Sequence, residues 1–459
     1  MKPVRSDAFV LYGVTGDLAY KKIFPALYAM VRRGGFDLPV IGVARSDWNL
    51  DQLRARLRES ITRHVGKGGD LDRQALSKLE ARLAFVQGDY QDAATFRALH
   101  RALGEAERPL HYLAIPPGLF ATVVEGLGAS GCAGRARIIV EKPFGRDLAS
   151  ARALNATLHR VFDERRIFRI DHYLGKEAVQ NLLVFRFANT FLEPIWNNHY
   201  VRSVQVTLAE RFGVAGRGRF YEEAGALRDV IQNHLLQVVG FLAMEPPALA
   251  LRESISDEQV KVFRLIRPLN PRNVVRGQFR GYRDEEGVAP GSTVETFAAA
   301  RLHVDSWRWE GVPFLVRSGK RLAVTATEVL VTLKRPPLLR LAAGETNYLR
   351  FRLGPDVTIA IGARVKRAGG ELTSEPIELA IAHHPHGDAM DAYERLLGDA
   401  LEGDPMLFAR QDTVEAAWSV VEPVLGNVTP AHEYRPGSWG PPEAEALAAD
   451  VGGWHRPAR

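Results

Sequence analysis

The chain is poor in cysteine, in long apolar runs and in blocks of one charge, and each shortage removes a class of protein. Among 459 residues there is one cysteine, Cys132. It can form no internal disulfide, which excludes a disulfide-stapled scaffold and fits a reducing compartment. No apolar stretch approaches the roughly 20 residues that cross a bilayer as a helix, so no membrane partner is expected. Residues 1–7 carry no signal-like apolar stretch, and a cytoplasmic location is expected. Internal repeats and low-complexity tracts are also missing. The net charge of +6 is not gathered into a block. Basic residues alternate with acids, as at 51–59 and 72–82, and read as solvated helix faces. That argues against nucleic acid as a partner and fits phosphorylated small molecules entering a mildly positive cleft.

What is present is ordinary globular material, 46% hydrophobic and 25% charged, enough for about two to three domains. Residues 7–12 form a short apolar strand pattern. Gly13-Val14-Thr15-Gly16-Asp17-Leu18 follows, then a helical pattern to about residue 33. Strand, glycine turn and helix in this order describe the first unit of a dinucleotide-binding fold. The glycines admit a pyrophosphate close to the backbone, and the helix start offers it free N–H groups. Leu11 stands where the usual first glycine would fall, and Pro25 predicts a bend or a start of the continuous helix near it. The strand at 39–44 ends at Arg45. An acid at that place would bind a ribose 2′-hydroxyl, whereas an arginine suits a 2′-phosphate. Arg45 and Ser46 therefore favour NADP, with Asp47 leaving NAD use open.

Alternation continues with strands at 85–88, 110–115 and 137–140 and helices at 49–65, 71–83, 93–106 and 148–163. It predicts a doubly wound parallel sheet. The strand at 85–88 ends at Asp89-Tyr90, which join Gly13, Thr15, Gly16, Asp17, Leu18 and Arg45 as candidate cofactor residues. The run 137–140 ends in Glu141-Lys142-Pro143-Phe144-Gly145, placing Lys142 at the ligand crevice. The apolar run 167–170 leads into Asp171-His172-Tyr173-Leu174-Gly175-Lys176, a carboxylate, imidazole, phenol and ammonium within six positions, before a helix at 178–187.

Beyond residue 187 the period changes to two. Strands are expected at 202–210, 296–304, 313–317, 328–333, 348–353 and 357–363, and helices at 222–244, 256–265 and 391–397. This predicts a large, mostly antiparallel sheet in an α+β domain, with residues 434–459 packed irregularly against it. The 222–244 helix carries Arg228, Asp229, Gln232, Asn233 and His234. In an α-helix Asp229 and His234 would stand about 140° apart, so the two need not touch. His383, His384 and His386 lack paired acids or cysteine nearby, and no metal site is expected.

Several segments together resemble the glucose-6-phosphate dehydrogenase family. They are Gly13-x-x-Gly16-Asp17-Leu18, Glu141 to Gly145, Arg169 to Glu177, Arg228-Asp229-x-x-Gln232-Asn233-His234, Gly311-Val312-Pro313-Phe314 with Gly319-Lys320, Tyr393 to Leu397, and Gly437 to Pro441. The resemblance implies a Rossmann domain over 1–175, binding NADP, and a substrate-binding and dimerisation domain over 176–459, in a homodimer or homotetramer. It implies oxidation of the C1 hydroxyl of glucose 6-phosphate to a lactone, with His234 as general base and Asp171 as its carboxylate partner. His172, Tyr173 and Lys176 would hold the sugar phosphate, while Glu210, Asp229 and Lys320 would bind sugar hydroxyls or the substrate's rim. Lys142 would lie between nicotinamide and substrate. The pattern departs at Thr325, where many members carry a second basic residue, a role Arg321 could take, and at Met390, where proline is common. A dehydrogenase of another aldose and a non-catalytic sugar-phosphate sensor are the rival expectations.

Overall fold

Five apolar segments bury every residue: Ala8–Tyr12 (β1), Val40–Ala44 (β2), Pro109–Leu113 (β4), Arg137–Glu141 (β5) and Ile167–Ile170 (β6), with Leu83–Gln87 (β3) partly exposed. Strands covered on both faces read as continuous apolar runs. In the computed structural model, which describes residues 4–65, 71–248, 253–337, 346–369, 371–382 and 390–458, these strands form one parallel sheet in the order β3-β2-β1-β4-β5-β6. That is the doubly wound order whose reversal between β1 and β4 opens a crevice at the strands' carboxyl ends. The helices expected between the strands are present, at Leu50–His64, Arg73–Ala81, Ala93–Leu103 and Leu148–His159. One more, Phe120–Ser130, was not expected. Its Gly126 gives no helical signal, but a Cβ there would fall 2.3 Å from the Phe96 ring, so the glycine admits close packing of two helices. Ahead of Pro25, residues Ala19–Ile23 take a π turn, and the α-helix proper runs Phe24–Arg32. The wider turn accommodates the missing proline N–H.

The chain divides into two compact units, the first of 1–176, 249–256 and 389–414, the second of 177–248, 257–388 and 415–459. Within the first unit the helix Ala392–Glu402 is fastened by Arg33 to Glu394 at 2.9 Å and by the Ser6 N–H to the Leu401 carbonyl at 2.9 Å.

The second unit is built on nine strands: Val201–Ala209 (β7), Val274–Phe279 (β8), Phe297–Leu302 (β9), Phe314–Gly319 (β10), Ala326–Leu333 (β11), Tyr348–Gly354 (β12), Thr358–Lys366 (β13), Ser374–Ala382 (β14) and Ala431–Tyr434 (β15). Their order is β14-β13-β12-β11-β7-β10-β9-β8-β15. Pairing is antiparallel except at β7–β10 and β8–β15. β8, β14 and β15 were not expected from the sequence. β14 contains Pro376 and lies at the sheet edge, the place where a strand tolerates proline. β15 and the short 3₁₀ helix Pro442–Val451 give the tail more order than expected. Arg317, fully buried, lies 4.8 and 4.7 Å from the Trp439 and Trp454 rings, and its Nε donates to Thr207. These cation–π contacts fasten the tail to the sheet.

The helix expected at 222–244 is not one α-helix. Gly218–Ala226 breaks at Gly225 (φ 64°, ψ 174°), Leu227–Leu235 is π-helical, and α-geometry returns at Leu236–Ala243. Among the described residues no helix is long and apolar enough to cross a membrane. The stretch holding His383, His384 and His386 lies outside the described residues.

Candidate functional site

In the first unit the glycine turn is held by neighbouring strand ends. The Gly13 N–H donates to the Val43 carbonyl and to the Tyr90 hydroxyl, both at 2.9 Å. Tyr90 in turn donates to Val43 at 3.1 Å, and burial pushes its phenol up to about 12. Tyr90 therefore supports the turn from beneath. Gly13 sits at φ +73°, and a Cβ there would fall 2.2 Å from the Ala114 carbonyl oxygen, so only glycine fits. Gly16 closes the turn with its N–H on the Gly13 carbonyl at 2.9 Å, and helical backbone continues through Leu18. The Thr15 and Ser46 hydroxyls are hydrogen-bonded at 2.9 Å, joining the turn to the end of β2. Beside them Arg45 is 83% exposed in its side chain, 3.8 Å from the Asp89 carboxylate. Asp17 pairs with Lys21 at 2.6 Å, which holds its carboxyl below the usual range. A tight glycine turn opening a helix, with an exposed guanidinium at the next strand end, has the chemistry to hold a dinucleotide phosphate.

Further along the same sheet, β5 ends at Glu141, for which the sequence signalled no role. Its carboxylate accepts from Tyr112 at 2.5 Å and from Tyr393. Burial pushes it up to about 7 against those hydrogen bonds and the nearby Lys142, while Asp171 raises it further. Lys142 follows at a cis Lys142–Pro143 bond. β6 ends at Asp171, which is buried. Its Oδ1 accepts the Tyr173 N–H at 3.0 Å and its carbonyl accepts the Leu174 N–H at 3.0 Å. This local turn stacks the cluster in a fixed order. The His172 ring lies 5.3 Å from Tyr173 and stacks nearly parallel to Tyr393 at 6.3 Å. The Lys176 ammonium sits 3.7 Å from the Tyr173 ring centre.

In the second unit, Glu210 at the end of β7 and Lys320 at the end of β10 are joined by a short ion pair. These strands run parallel and adjacent, so their ends lie together. Lys320 is also 5.0 and 5.5 Å from the Phe212 and Tyr221 rings. Tyr221 is fully buried, and its phenol is raised well above its ordinary value, first by burial and then by Asp229 and Glu210. Its ring thus lies near Lys320 and within electrostatic reach of Asp229 and Glu210, surroundings that nothing in its sequence position signalled. Thr325 accepts the Arg211 N–H at 3.1 Å, and Arg321 faces Glu285 at 3.7 Å. Arg321 is thus turned to an acid of its own unit.

The π-helical stretch corrects the expected geometry around His234. With i→i+5 bonding the turn is wider, so the angle between Asp229 and His234 is smaller than in an α-helix. Asn233 explains how the wide turn is satisfied. Its amide donates to the Arg228 carbonyl at 2.9 Å and accepts the His234 N–H at 2.6 Å. The His234 ring is buried.

Comparison with known proteins agrees across the whole chain. Residues 10–181 match the family model "Glucose-6-phosphate dehydrogenase, NAD binding domain", and residues 183–455 match "Glucose-6-phosphate dehydrogenase, C-terminal domain". A glucose-6-phosphate 1-dehydrogenase of Mycobacterium tuberculosis is 42% identical over 98% of this chain and 97% of its own length. The crystal structure of the Mycobacterium avium glucose-6-phosphate 1-dehydrogenase superposes with a TM-score of 0.91 at 42% identity, covering 99% of this chain and all of that one. A glucose-6-phosphate dehydrogenase solved in complex with glucose 6-phosphate gives 0.91 at 33% identity, again over 99% of this chain and 100% of its own. The chain belongs to the glucose-6-phosphate dehydrogenase family, with a nicotinamide-dinucleotide domain at its amino-terminal end.

Proposed function

We propose that this protein oxidises the C1 hydroxyl of D-glucose 6-phosphate to 6-phospho-D-glucono-1,5-lactone with NADP⁺, the entry step of the oxidative pentose phosphate pathway. The observation that carries this reading is the family match, unbroken through both halves of the chain. When bound, the oxidised nicotinamide supplies the acceptor for the hydride from C1. The remaining chemistry belongs to the chain. As hydride departs, the C1 hydroxyl loses its proton to an imidazole nitrogen of His234, a base whose ordinary pKa lies near operating pH. Asp171 orients that ring and stabilises the imidazolium. His172, Tyr173 and Lys176 hold the 6-phosphate, whose binding energy positions the distant C1. Glu210, Asp229 and Lys320 contact the sugar's hydroxyls or its rim.

Gly13, Thr15, Gly16, Asp17 and Leu18 form the cofactor's phosphate turn, and Asp89 and Tyr90 flank it. Lys142 lies between nicotinamide and sugar, and Arg45 takes the 2′-phosphate. Residues 1–175 act as the cofactor domain and 176–459 as the substrate and dimerisation domain of a cytoplasmic homodimer or homotetramer. The test is reduced-nicotinamide absorbance with glucose 6-phosphate, run separately with NADP⁺ and NAD⁺. Turnover with NADP⁺ that largely disappears with free glucose is expected. No reduction of either cofactor, despite binding of the sugar phosphate, would overturn the reading.

A further inference from the structure

The π-helical stretch that carries Asp229 and His234 calls for a structural cause, because an i→i+5 ladder is rare. The anchor at its start is unusual. Gly225 breaks the preceding helix with φ 64° and ψ 174°. The next two N–H groups then both turn to one residue, Glu295, which lies just before β9. The Ala226 N–H donates to the Glu295 carbonyl at 3.0 Å, and the Leu227 N–H donates to Glu295 Oε1 at 3.1 Å. A carboxylate on the first N–H groups of a helix satisfies donors that have no partner in the helix, and it complements the dipole.

Glu295 is itself clamped. It is buried, and its Oε2 accepts from Arg276 Nε at 3.1 Å and from one terminal nitrogen at 2.9 Å. Arg276, equally buried on β8, also donates to the Thr429 and Thr293 carbonyls at 2.7 and 2.8 Å and reaches Asn427 Oδ1 at 3.5 Å. The fit at Gly225 is tight, since a Cβ there would lie 2.4 Å from Glu295 Oε1. An arginine that gives two hydrogens to one carboxylate oxygen while its other nitrogens are engaged holds that carboxylate in place. The strand pair β8–β9 therefore fixes where the π-helix begins, and with it which side His234 presents.

We propose that Glu295, held by Arg276, is a positioning residue for the reaction, setting the register in which Asp229 and His234 face the substrate. This rests on the reading of His234 as general base. Glu295 acts through the Leu227 N–H.

Removing one partner alone would leave a buried charge and could unfold the unit, so the test uses two charge-free pairs. Arg276→Met/Glu295→Gln keeps a carbonyl oxygen for the Leu227 N–H, whereas Arg276→Met/Glu295→Leu removes it. The full-length enzyme is assayed with glucose 6-phosphate and NADP⁺, with thermal midpoints measured alongside and His234→Asn run in the same series. kcat should fall less in the Gln pair, which keeps the acceptor but loses the Arg276 clamp, than in the Leu pair, where a drop of roughly ten- to hundred-fold is expected, the size of effect a small misplacement produces. Cofactor affinity should be unchanged in both. Equal kcat in the two pairs, with His234→Asn inactive, would overturn the positioning role alone. Normal turnover by His234→Asn would instead overturn the base assignment on which it rests.

Discussion

The two units place polar chemistry on different kinds of backbone. In the first, every candidate group stands at the carboxyl end of a regular parallel strand or in the turn that follows it: Gly13 after β1, Arg45 after β2, Tyr90 after β3, Lys142 after β5, Asp171 after β6. The sheet is buried and uniform, so position along a strand is enough to place each side chain. In the second, Asp229 and His234 lie inside a helix that departs from α-geometry, bonded at its start by Glu295 and within by Asn233. Parallel-sheet sites are thus fixed locally, while this helical site is fixed from a distance. Substitutions should therefore act locally in the first unit and through the backbone in the second.

The sharpest comparison pairs two glycines. Gly13→Ala sets a Cβ against the Ala114 backbone, which cannot turn aside, and should abolish cofactor binding. Gly225→Ala sets a Cβ against a carboxylate and forces a backbone region nearly reserved for glycine, at a cost of about 1–3 kcal/mol. It should lower kcat and the thermal midpoint while leaving cofactor affinity intact, as titration with NADP⁺ would show. If both variants lost cofactor binding, the division between the units would not hold.

A smaller effect is expected at Arg45. Arg45→Ala should raise the KM for NADP⁺ roughly ten-fold or more, the worth of hydrogen bonds to a charged group, and leave that for NAD⁺ nearly unchanged. An equal rise for both would move the 2′-phosphate site elsewhere.

The smallest effect concerns the sheet itself. His111 on β4 is fully buried, its Nε2 bonded to the Cys132 carbonyl at 3.0 Å and its Nδ1 without a partner among the described residues. Burial pushes its pKa down from 6.5 to about 4. The unfolded chain thus takes up a proton on this histidine at a pH where the folded one refuses it. Stability present above about 6.5 is therefore lost as pH falls toward 4. His111→Phe should flatten the thermal midpoint across that window, even if the midpoint near neutrality drops slightly with the lost hydrogen bond. An unchanged slope would assign the acid lability to other groups.

Much of this was legible in the sequence because local signals and function coincide in the first unit. Apolar strands that end in polar residues, with amphipathic helices between them, revealed the parallel sheet and the glycine turn. The second unit was less readable. The edge strand β14, with its proline, and the four-residue β15 acquire strand character only by pairing with β13 and β8. The pattern Glu222 to Met244 scans as α-helical, since the residues that widen it (Asn233 inside, Glu295 more than sixty positions away) act through hydrogen bonds that no periodicity encodes. Tyr221 and Glu141 were hidden for the same reason: burial beside charges, rather than residue type, gives them their character.

The account depends most on His234. In the full-length enzyme, His234→Asn should lower kcat by roughly 10²–10⁴-fold while the affinity for glucose 6-phosphate, measured directly by titration, stays close to that of the parent. Turnover near the parent's, with that affinity intact, would contradict it.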